Sequence, residues 1–129
     1  MRKLIAITAL FAAAALPLGA QTHPTHHAGD WWRNHNDDYH FAYLSGYKSA
    51  LHHQIGHDTP LTPFSAYAVR AGVNKFYNDF RNRNIVIDDA IIYVGKQLSG
   101  ASKHDLDQEL LGMRANAAKL APEGDGSDD

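Results

Sequence analysis

A chain of 129 residues with 12 Lys+Arg against 14 Asp+Glu, and with no cysteine, has room for one domain and holds it together without disulfides. Arg2 and Lys3 sit at one end and Glu123, Asp125, Asp128 and Asp129 at the other, so the body between them is close to neutral. A neutral body excludes electrostatic binding of nucleic acid, which needs a basic face.

Residues 1–20 read as a signal peptide. Arg2 and Lys3 form a basic start, and residues 4–16, "LIAITALFAAAAL", form an apolar run too short to span a bilayer comfortably. Pro17 breaks the run, and "LGA" supplies small residues before a cut after Ala20. The expected location is a periplasm or the cell exterior, with no membrane association once the segment is removed.

Residues 21–36 read as a flexible leader rich in His and Trp. Eight of the 9 histidines fall between positions 23 and 57. A mature chain starting Gln21–Thr22–His23 offers an amine, two amide nitrogens and an imidazole, a square-planar set for Cu(II) or Ni(II). His26 and His27 could hold a further ion. Trp31 and Trp32 are adjacent, and adjacent tryptophans are not expected to face one helical core together. At least one is therefore a candidate for a surface groove or a partner contact; the other reading is packing.

The first long helix is expected from Asp37 or Asp38, either of which can cap it, to Gly56. Phe41, Leu44, Tyr47, Leu51 and Ile55 make its apolar stripe. Its end carries "HQIGH", residues 53–57, which has the spacing of a zincin motif. Gln54 stands where hydrolysis needs Glu, and an amide is no general base. What survives is Zn(II) or Cu(II) binding by His53 and His57, two ligands of the three or four required. The bland alternative is a pair of exposed histidines at a helix C-terminus.

After the connector, residues 57–63, Thr62 is expected to cap a second helix with Pro63 at its first position. Ala66, Val69, Val73, Phe76 and Phe80 form the stripe. Residues 81–84, "RNRN", form a polar turn in which Arg81 and Arg83 are candidates for bidentate contacts to a partner's carboxylates. Residues 85–87 read as an extended arm with its isoleucines turned inward. A third helix follows over about 88–98, with Gly100 behind it. The fourth opens at Ser102 and Asp105, a variant capping box, and carries Leu106, Leu110, Met113, Ala117 and Leu120. Residues 37–120 thus form an all-α, four-helix bundle without internal repeats, and the acidic residues 121–129 read as a disordered tail. The aromatic set Tyr43, Tyr47, Phe64, Tyr67, Phe76, Tyr77, Phe80 and Tyr93 reads as core.

"YLSGYKSAL" and "TPFSAYAVRAGVNKFYNDFRNRNIVIDDAIIYVGKQL" together resemble the periplasmic immunity proteins that protect bacteria from type VI secretion amidases. Tyr43 and Gly46 match that family's Tyr-x-x-Gly segment, while Asn74–Lys75–Phe76–Tyr77 and Asp89–Ala90 fall in corresponding places. The likeness covers roughly residues 41–98. It implies a helical exported protein that binds a protein partner and does not catalyse. No cysteine nucleophile, Gly-rich phosphate loop or Ser-His-Asp set argues otherwise, and Asp37–Asp38 and Asp88–Asp89 stand at helix starts, where capping explains them. The expected function is therefore an exported, non-enzymatic, immunity-like binding protein. The alternative is a periplasmic Cu, Ni or Zn binder using the leader histidines; folding itself calls for no cofactor.

Overall fold

A computed structural model describes residues 27–56 and 59–120. The expectations for the signal segment, for Gln21, Thr22, His23, His26 and His57, and for the tail fall outside these residues. The described chain is all-α: α1 (Gly29–Asn34), α2 (Asp37–Ile55), α3 (Ala66–Asn78), a 3₁₀ turn (Phe80–Asn82), α4 (Ile87–Leu98) and α5 (Lys103–Ala117). The four expected helices are present, and a short helix precedes them. None is long and apolar enough to cross a membrane.

α3 is the hub. It packs on α2 and on α4, and α5 lies against α4. The reason is in the stripes: Val69, Val73 and Phe76 of α3 meet Ile87, Ile91 and Val94 of α4 in a core that also takes Leu44, Leu61 and Ile85. Gly72 sets the spacing, because a Cβ there would overlap Val94 Cγ1. Ile85 and Ile87 do point inward, and Ile87 already belongs to the helix. Ser102 caps α5 as expected, its Oγ accepting from Asp105 N at 3.1 Å.

Residues 27–36 are not a leader. Trp31 and Trp32 are 4 % and 1 % exposed and belong to the core. Both indoles are buried because α1 is covered on two faces rather than one. Trp31 is ringed by His27 (4.1 Å between centroids), His35, Tyr39 and Tyr43. Trp32 turns to the other side, stacks on His40 at 3.8 Å and donates from Nε1 to Asn74 Oδ1 at 2.7 Å. Backbone bonds from Gly29 N to Arg83 O and from Ile87 N to His27 O, both 2.8 Å, fasten the segment beside residues 83–87. Gly29 is required there, since a Cβ would come within 2.7 Å of Tyr77 Cδ1 and 2.9 Å of the Arg83 backbone.

Two caps also differ from expectation. Asn36, not Asp37 or Asp38, caps α2, accepting from Tyr39 N at 2.9 Å. Ser65, not Thr62, caps α3, accepting from Ala68 N at 3.2 Å. Thr62 instead closes a turn with Thr59, their hydroxyls 2.9 Å apart, and that turn drives Leu61 into the core. A helix begun at Pro63 would carry Leu61 away from its seat against Gly95, where a Cβ would come within 2.8 Å of Leu61 Cδ2. Two aromatics expected in the core, Tyr67 and Phe80, are exposed.

Candidate partner-binding site

Phe80 continues the α3 stripe by count, yet it is 75 % exposed. α3 stops at Asn78, and the Asp79 carboxylate accepts from Arg81 N at 3.0 Å, which starts the 3₁₀ turn and rotates Phe80 off the stripe. The turn is tied down from below. Asn82 is buried; its Nδ2 donates to Phe76 O at 2.8 Å and its Oδ1 accepts from Arg114 Nε at 2.9 Å. Tyr77 OH donates to Ile85 O at 2.8 Å just beyond. The ring of Phe80 is thus held outward by a rigid support.

Charge surrounds it. Arg81 grips Asp79 with Nε at 2.9 Å from Oδ1 and Nη2 at 2.6 Å from Oδ2, and Arg114 Nη2 approaches Oδ2 at 3.1 Å. These hydrogen bonds, Arg81's first, hold the Asp79 carboxyl well below the usual carboxylate range, and Asp79 in turn raises the Arg81 guanidinium. A shallow cleft of about 190 Å³ opens alongside, lined by Lys75, Asp79, Asn82, Tyr93, Gln97 and Leu110 among others. Arg81 and Arg114 both bond Asp79, Lys75 and Tyr93 line the cleft beside it, and the carboxylates Asp107 and Glu109 also act on Tyr93. The turn offers one large apolar side chain beside an exposed guanidinium.

Of the residues singled out from sequence, Arg81 and Arg83 share this turn. Arg81 is exposed, with its fork already engaged by Asp79. Arg83 is half-buried, and its Nε is a buried donor without a hydrogen-bond partner among the described residues. Trp31 and Trp32 are withdrawn as contact residues by their burial. His27 lies against Trp31, far in sequence from His53, which is exposed on the last turn of α2. Among the described residues no group of three or more His, Asp or Glu is placed to hold a metal ion. Sequence reasoning missed Phe80 as a surface group; the signal available was "ND", residues 78–79, a pair that favours ending a helix.

The α2 tyrosines line a different face. Burial, then the Asp88 carboxylate, pushes both Tyr43 and Tyr47 up to about 12. Comparison with known protein families, with curated proteins and with solved structures finds no significant match to this chain.

Proposed function

We propose that this chain is an exported, non-enzymatic binding protein that engages a protein partner through the Phe80 turn, in the manner of the immunity proteins that residues 41–98 resemble. The observation that carries the reading is a phenylalanine 75 % exposed on a buttressed turn that also carries the exposed Arg81. Aromatic and arginine side chains anchor protein interfaces, and a rigid support spares the entropy of ordering them. The partner's complementary chemistry is an apolar pocket rimmed by Asp or Glu. The residue 1–20 segment supports export.

The test is capture from a periplasmic extract, with wild type compared to Phe80→Ala, Arg81→Ala/Arg83→Ala and, as a control, Tyr67→Ala. Phe80→Ala is expected to weaken capture roughly 30-fold or more, the scale of an interface hot spot. The arginine pair should weaken it most at low salt. Tyr67→Ala should leave it intact. A partner retained by Phe80→Ala refutes the assignment of this turn.

The clustering of histidines between positions 23 and 57 favours a second reading, Cu(II) or Ni(II) binding at Gln21–Thr22–His23. A His23→Ala chain that keeps the square-planar absorption band rules it out.

A further inference from the structure

A second cleft, of about 280 Å³, lies where α1, the start of α2 and α3 meet; Trp32, Arg33, His40, Asn74 and Asn78 line it. Its floor is fixed. The Trp32 and His40 rings lie nearly parallel, 3.8 Å apart at 6°, and His40 Nε2 donates to Trp32 O at 2.7 Å. His40 is only 5 % exposed, so this stack cannot rearrange without disturbing the core.

The polar groups at the rim are donors. Trp32 Nε1 occupies Asn74 Oδ1, which leaves the Asn74 amide nitrogen as that side chain's free function. Asn78 stands one turn further along α3. Arg33 is exposed at the end of α1 and has no ion-pair partner among the described residues. Among the described residues no carboxylate lines the cleft. Asp37, whose Oδ1 lies 3.9 Å from His40 Nδ1, is already held by Arg70 Nη1 at 2.6 Å.

A solvated cleft needs no such arrangement: a guanidinium without a carboxylate, two amides on one helix face, and an acid nearby that is neutralised by another arginine. The geometry points to a small-oxyanion site, in which a carboxylate or phosphate group sits between the Arg33 guanidinium and the Asn74 and Asn78 amides beside the Trp32 ring. Charge-assisted bonds from Arg are the strong term, and the amides fix orientation. The site is separate from the Phe80 turn and does not depend on its role.

Nuclear magnetic resonance of the nitrogen-labelled protein tests this, with inorganic phosphate in one titration and acetate in another. Sodium chloride at matched ionic strength is the control. The Trp32 indole N–H and the Asn74 side-chain amide should shift saturably, while the Trp31 indole stays still. Arg33→Gln should weaken binding roughly tenfold or more, the worth of a charge-assisted hydrogen bond. Asn78→Asp should weaken it further by placing a carboxylate at the rim. Both variants change exposed side chains, and an unchanged thermal melt confirms their fold. Saturation with phosphate alone, or with acetate alone, assigns the anion's source. The site is overturned if neither anion saturates, if chloride gives the same shifts, or if Arg33→Gln and Asn78→Asp bind as wild type.

Discussion

Asn82 holds the carbonyl of Phe76 with its nitrogen and the guanidinium of Arg114 with its oxygen, both inside the protein. Replacing it with Ala leaves a buried carbonyl and a cation without their partners. Asn82→Ala should cost about 2–3 kcal/mol in a urea titration; a loss near zero would show that water replaces both bonds. Phe80, two positions earlier, should behave in the opposite way. It covers little, so Phe80→Ala is expected to shift stability by less than about 0.5 kcal/mol, which separates its binding role from a structural one. Asp79 gives the turn a pH dependence. Its folded pKa is shifted down by Arg81, so the folded state binds fewer protons there than the unfolded chain. The stabilisation is present above about pH 4, the unfolded carboxylate value, and is lost as pH falls toward the lower folded value. Asp79→Asn should therefore be less stable than wild type at neutral pH and should lose less on acidification. Parallel acid limbs for the two proteins would contradict this.

The helices depend on close approaches as much as on stripes. A methyl added at Gly72 meets the β-branched Val94, which has little rotameric freedom in a helix. The clash outweighs the gain of about 1 kcal/mol in helix propensity. Gly72→Ala should destabilise by about 1–3 kcal/mol, and Val94→Ala in the same chain should recover part of the loss. Strict additivity of the two changes would show that they do not touch. The stripes of α3 and α4 were legible in sequence because Val69, Val73, Phe76, Ile87, Ile91 and Val94 repeat at three and four. The caps at Asn36 and Ser65 were not, because Asp37 and Thr62 are chemically as good. What decides between them is tertiary: Thr62 is spent on the turn that seats Leu61. Ser65→Ala should accordingly cost about 1 kcal/mol through the cap. In the candidate site, Arg81 was legible as an exposed cation. Phe80 was misread because its four-residue step from Phe76 continues the stripe past the place where Asp79 ends the helix.

At the scale of the molecule, α1 decides where the domain begins. Starting the chain at residue 37 would remove Trp31 and Trp32 from the core along with the bonds to Asn74 and Ile87. Loss of even one large buried aromatic costs about 3–5 kcal/mol, against a total of about 5–15 for a domain. Such a truncated chain should show no cooperative melt, and a sharp transition near that of wild type would return α1 to the status of an appendage. The opposite pH limit follows from α2. Tyr43 and Tyr47 ionise near 12 in the folded state against about 10 unfolded. Their contribution is full below pH 10 and disappears as pH rises through 12. Asp88→Asn should lower both values, and an alkaline spectrophotometric titration reads this directly.

The bond between Trp32 and Asn74 spans 42 positions of sequence, and the first segment of the domain is fastened to α3 and to residues 83–87. Any process that delivers this chain from the N-terminus, whether synthesis or threading through a pore, presents the two indoles well before α3 and α4 exist to cover them. The core cannot close early, since loop closure over such separations is paid only when the last contacts form. Until α3 and α4 have emerged, Trp31 and Trp32 have only the neighbouring rings of residues 27–43 as cover. A chain tethered so that it exposes only residues 27–65 should bind hydrophobic dyes and holding chaperones, and it should stop doing so when extended past residue 98.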